Sequence, residues 1–145
     1  MHIWAQLLWS GVLTVLCLLV HGFGIVAITR LLRLEEQRLR KKDLGMGAFL
    51  LLTGLALCVF LLHAAEIAIF AAFYVVADIL AGFDDALYFS AAAYSTLGTT
   101  DLALPDAWRL VGAIEGVAGF LLLGWSTAFF VTDMNVLLRD KPPER

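Results

Sequence analysis

Charge is scarce in this sequence and unevenly placed. Asp, Glu, Lys and Arg supply 16% of its 145 residues against 61% hydrophobic, well above the roughly 45–50% apolar share of a soluble domain, and the mean hydropathy is +0.88. That balance excludes a soluble globular chain. Internal repeats and low-complexity tracts are lacking, and no nucleophile stands beside a base or phosphate-binding glycine loop to suggest an enzyme. Cysteine is limited to Cys17 and Cys58, in separate hydrophobic runs, where a thiol packs as a small residue and no structural disulfide is expected.

What the chain does have is long apolar runs. A hydrocarbon core of about 30 Å takes roughly 20 helical residues to cross, and three runs reach that length, at residues 4–29, 46–77 and 108–138. The expectation is an all-α integral membrane protein with three transmembrane helices. The first run is read as a span and not as a cleaved secretory signal, because its basic residues follow the apolar stretch and the stretch is too long.

Positive charge flanking a span stays preferentially on the cytoplasmic side. Arg30, Arg33, Arg38, Arg40, Lys41 and Lys42 crowd the first connection, and Arg139, Lys141 and Arg145 follow the third run. Both segments are therefore expected in the cytoplasm, with the N-terminus outside and the protein in the cell (inner) membrane. The expected organisation is a first helix and basic connection over 1–43, a membrane module over 44–138 and a short tail over 139–145. The connection, with Leu31, Leu32, Leu34 and Leu39 among its charges, reads either as an amphipathic helix at the membrane surface or as a solvated helix end.

Residues 78–107 carry Asp78, Asp84, Asp85, Asp101 and Asp106 but no Lys or Arg, and are too short and broken for a fourth crossing. Gly82 is expected to break the preceding helix, and Asp84 and Asp85 to cap and open a new one over about 86–94. A helix of that length, about 14 Å, reaches only mid-bilayer. The polar stretch from Ser95 to Asp101 follows, and irregular backbone at that depth is tolerated only where protein buries it or water reaches it. A descending half-helix followed by an extended strand climbing out describes a re-entrant loop.

Tyr88-Phe89-Ser90, Tyr94-Ser95-Thr96-Leu97-Gly98, Asp101, Trp108-Arg109-Leu110 and Gly124-Trp125-Ser126-Thr127-Ala128 occur in that order. Together they resemble the potassium-channel superfamily, in the small bacterial group with one pore loop per subunit; the resemblance covers most of residues 61–134. It implies a fourfold homotetramer in a lipid bilayer, passing monovalent cations (K+ or Na+) passively, with no other cofactor and no nucleic-acid partner. It also implies a selectivity filter at Thr96, Leu97, Gly98, Thr99, Thr100 and Asp101. Such filters replace the ion's hydration shell with backbone carbonyls. Here Gly98-Thr99-Thr100-Asp101 stands where the family has Gly-Tyr-Gly-Asp. Glycine adopts the required backbone angles freely, whereas threonine resists them. The inner sites at Thr96, Leu97 and Gly98 are therefore expected to survive and the outer half to differ, altering or relaxing selectivity. The alternatives are a nonconducting scaffold or sensor with a collapsed filter, or a membrane metal-binding protein.

Other residues carry paired readings. Gly112, Gly116, Gly119 and Gly124 share small-residue spacing suited to close helix packing, while the family alignment makes Gly119 a gating hinge. Ser126 and Thr127 either line a cavity below the filter or bond their own helix. Asp133 and Asn135 fall where they would ring an inner entrance. His63, Glu66 and Glu115 lie inside apolar runs, where an ionisable group needs protein or water around it. They read as support for the filter through Tyr94, Ser95 or Trp125, or as a metal site of one histidine and two carboxylates. His2 and His21 lack a partner at helical spacing, and the first span, taken as an apolar helix lacking polar positions, is expected to pack outside the channel core.

Overall fold

A computed structural model describes residues 3–39, 44–98 and 101–139. They form four helices: α1 (Ile3–Leu39), α2 (Leu44–Val76), α3 (Phe83–Tyr94) and α4 (Arg109–Arg139). Three contain stretches long and apolar enough to cross a membrane, Ile3–Leu32, Phe49–Val76 and Arg109–Thr132, within a few residues of the runs expected except at the C-terminal end of the third. α1 continues as helix beyond its apolar stretch to Leu39. Residues 40–43, Thr99, Thr100 and the tail 140–145 lie outside the described residues, as do the side chains of Asp133 and Asn135.

α2 ends earlier than Gly82 and for a different reason. Asp78 takes a left-handed φ of 55°, its N–H bonds Val75 O at 3.0 Å, and the N–H of Ile79 bonds Tyr74 O at 2.9 Å. This is a Schellman closure with aspartate where glycine is usual, and aspartate is one of the few residues that visits this region readily. Gly82 instead precedes α3 in extended conformation, with no side-chain cap, leaving Asp84 and Asp85 in the first turn. Their carboxylates there complement the positive end of the helix.

α1 and α3 both pack between α2 and α4, which touch each other little. The first span is thus not an outer helix without polar positions. Its buried side is Gln6, Ser10, Leu13, Cys17, His21, Ile25 and Ile28, steps of three and four that make one helical face. Gln6 Oε1 accepts the Leu110 N–H at 3.1 Å, satisfying a first-turn donor of α4 that has no partner in its own helix. Further along, Gly24 lets α1 approach α2, since a Cβ there would lie 2.5 Å from Leu62 Cδ1.

α4 meets α3 through its glycines. A Cβ on Gly116 would lie 3.1 Å from the Ala93 carbonyl oxygen, and one on Gly119 only 2.1 Å from that of Tyr94. This contact accounts for Gly119 by close packing. It also sets a depth: Gly119 is ten residues into α4, and Tyr94 meets Glu66, ten residues from the Val76 end of α2. Two independent helices therefore place the end of α3 about 15 Å along their axes, at 1.5 Å per residue. Gly119→Ala is expected to destabilise the fold by about 1–3 kcal/mol or more through overpacking against backbone. Gly54→Ala, with nothing within 4 Å of the new Cβ, should change little. Thermal unfolding of the purified protein in detergent separates the two.

Candidate functional site

Ser90 and Tyr94 stand four residues apart, hence on one face of α3, and both are buried. Each reaches a buried glutamate. The Ser90 hydroxyl donates to Glu115 Oε1, with the Ile67 carbonyl oxygen 2.9 Å away, and the Tyr74 hydroxyl donates to Glu115 Oε2 at 2.6 Å. Glu115 therefore ties α3 to α2 and α4 through neutral hydroxyls, and among the described residues no cation pairs with it.

Glu66 has different company. The Tyr94 hydroxyl donates to its Oε2, His63 Nδ1 lies 3.0 Å from the same oxygen, and His21 Nδ1 lies 2.8 Å from Oε1. His63 Nδ1 is also 2.9 Å from the Tyr94 hydroxyl. On their far sides both rings turn to one group: His63 Nε2 is 2.9 Å from Ser126 Oγ and His21 Nε2 is 3.4 Å from it. Trp125 joins through its ring, 5.2 Å from that of His21. Every helix contributes to this network, and Glu66, His21 and Glu115 have no exposed surface.

Four of the expected support residues are brought together, His63, Glu66 and Tyr94 by hydrogen bonds and Trp125 by its ring against His21. Glu115 forms a separate cluster with Ser90 and Tyr74, so the metal set of His63, Glu66 and Glu115 is corrected. Among the described residues, the three potential ligands whose donor atoms lie within 4.8 Å of one another are His21, His63 and Glu66. His21, Tyr74 and Ser90 were not legible as site residues. The rule that flags His63, an ionisable group within an apolar run, applies equally to His21, whose partner lies 45 residues away on another helix. Thr127 bonds its own helix at the Leu123 carbonyl, 2.9 Å, while Ser126 joins the network instead.

From Ser95 to Gly98 the chain turns back rather than climbing as an extended strand. Thr96 and Gly98 both take left-handed φ values, 61° and 63°. The Thr96 N–H bonds Ala93 O at 3.0 Å and the Gly98 N–H bonds Ala92 O at 3.1 Å. Left-handed backbone costs glycine little but a β-branched residue roughly 1–2 kcal/mol, and Thr96 is such a residue. Leu97 is 69% exposed, and Asp101 is exposed as well. Comparison with family models, with curated proteins and with solved structures returned no match.

Glu115→Gln keeps an acceptor for one hydroxyl and is expected to cost less stability than Glu115→Leu. The leucine leaves the Tyr74 hydroxyl without its partner, at about 1–3 kcal/mol for a buried unsatisfied group, while the Ser90 hydroxyl keeps the Ile67 carbonyl oxygen at 2.9 Å. Melting temperatures of the two variants in detergent test the order; leucine matching or exceeding glutamine would show that these bonds do not hold α3.

Proposed function

We propose that four copies of this chain form a cation-conducting pore in the cell membrane, with α2 as outer helix, α3 as re-entrant pore helix and α4 as inner helix. The observation that carries the reading is the depth of Tyr94. α3 is too short to cross a bilayer, yet its C-terminal end meets α2 and α4 about 15 Å along both. Ser95 to Gly98 then lie at mid-membrane, where exposed irregular backbone is tolerated only against protein or water. One chain has neither for Leu97; a ring of four encloses a water-filled axis. A converging set of α3 C-termini, each with a partial charge of roughly −0.5, favours a cation there.

Beside this turn an apolar concavity of about 590 Å³ is lined by Phe89, Ala93, Thr96, Gly98, Gly116, Phe120 and neighbouring residues. It suits the inner helix of a second copy. The basic flanks orient the N-terminus outside and the C-terminus in the cytoplasm, which sets Asp101 and Asp106 at the outer mouth, where they concentrate cations. The filter runs over Thr96, Leu97, Gly98, Thr99, Thr100 and Asp101. Threonine at 99 and 100, in place of tyrosine and glycine, reduces the ordered carbonyl rings and relaxes discrimination between K+ and Na+. Transport is passive and requires no catalytic group.

Ion flux from liposomes under K+ and Na+ gradients, with mass measurement of the assembly, tests the proposal. The wild type should be tetrameric and pass both ions, and Thr99→Tyr with Thr100→Gly should shift the flux toward K+. A silent wild type with a conducting double variant would make the native protein a scaffold with a disabled filter. Silence in both, with folded tetramers, or the absence of a tetramer, would overturn the pore.

A further inference from the structure

Two buried histidines and a carboxylate converge in the Glu66 network, which links the tautomers of the two rings. Both Nδ1 atoms, of His21 and His63, face the Glu66 carboxylate. If each carries its proton there, both Nε2 atoms become acceptors, and both are turned toward the single hydroxyl of Ser126. A serine hydroxyl owns one proton. In that state one Nε2 lacks a donor; the other His63 tautomer supplies one, with the Tyr94 hydroxyl 2.9 Å from its Nδ1, so the rings can change tautomer and keep partners.

We propose that His21, His63 and Glu66 form a binding site for a divalent transition metal ion of the Zn2+ type, with the Tyr94 oxygen beside it. An ion on the Nδ1 side moves the ring protons to Nε2. Both rings can then donate to the two lone pairs of Ser126 Oγ. Metal-bound histidines commonly hand their second nitrogen to such an outer partner, and here one hydroxyl serves both rings. Two imidazoles and a carboxylate are the donors that zinc and its neighbours accept. The donor atoms lie within 4.8 Å of one another, and the Nδ1–carboxylate separations of 2.8 and 3.0 Å need open only to the ~3.3 Å set by metal bonds of about 2.0–2.1 Å. Because His21 and Glu66 are fully buried and His63 is 8% exposed, the ion is structural, joining α1 to α2 beside the end of α3. This inference stands apart from the pore, since metal content is read without ion flux.

The test uses the full chain, tag removed, produced in zinc-supplemented medium and washed with chelating resin in detergent. Elemental analysis should find one zinc per chain in the wild type and in a His2→Ala, Cys58→Ala control, and none in His21→Ala or Glu66→Gln. Ser126→Ala should retain the site but weaken zinc by about 10–100-fold in competition with a chromophoric chelator. If the ligand variants fail to fold, X-ray absorption of the wild type decides, and a nitrogen and oxygen shell with two imidazoles is the expected spectrum. A wild type without stoichiometric zinc, a sulfur-containing shell, or equal zinc in Glu66→Gln would overturn the site.

Discussion

Glu66 is fully buried ten residues inside α2, within a stretch apolar enough to cross a membrane. An ionisable group in that setting must be surrounded by protein partners, and those of Glu66 come from α1, α2 and α3, with Ser126 of α4 reached through the two imidazoles. In lipid there is little hydrophobic drive for one helix to join another, so close packing and interhelical hydrogen bonds must supply the association, at about 0.6–2 kcal/mol for each bond. The carboxylate with His21, His63 and Tyr94, extended to Ser126, concentrates several such bonds at one point. Glu115 repeats the device one turn earlier on α3, at Ser90, with hydroxyls in place of imidazoles. These two ties hold a helix of 12 residues in register between two much longer ones.

The same physics explains what could be read in advance. The three spans, the short helix between the last two and the pairing of His63, Glu66 and Tyr94 were legible because length, apolarity and the cost of buried charge act locally. The role of α1 was not. Both its faces are apolar in large part, one toward protein and the other exposed, as at Trp4, Leu8 and Phe23, so amphipathic contrast is lost. The useful signal is the placement of its few polar residues: Gln6, Ser10 and His21 fall on the buried side at helical spacing, the reverse of a soluble protein. Asp78 was equally hidden, since glycine at position 82 offers the more obvious helix stop, and the Schellman bonds at Val75 and Tyr74 depend on tertiary burial of Ile79.

Thr96 shows a local rule overruled by its neighbours. Its left-handed backbone is disfavoured by the branched side chain, yet its N–H and that of Gly98 find carbonyls in the last turn of α3. Gly98 takes the same conformation without steric cost. Strain of this kind persists where surrounding structure over-determines it, and here Tyr94, immediately before the turn, is fixed by Glu66 on one side and by the bare backbone of Gly119 on the other.

α1 is therefore not an accessory to the other helices in any energetic sense. Without it Glu66 keeps His63 and Tyr94 but loses His21, leaving one carboxylate oxygen short of its partner. The Leu110 N–H loses Gln6 at the start of α4, and Ser126 loses one of its two imidazoles. Each is a buried or part-buried polar group whose unmet bond costs more than the bond contributes when made. A boundary at the basic connection separates two stretches of sequence, but the polar partners that α2 and α4 require lie on both sides of it. The helices on either side form a single unit of stability, and the segment that follows Tyr94 inherits its position from all four.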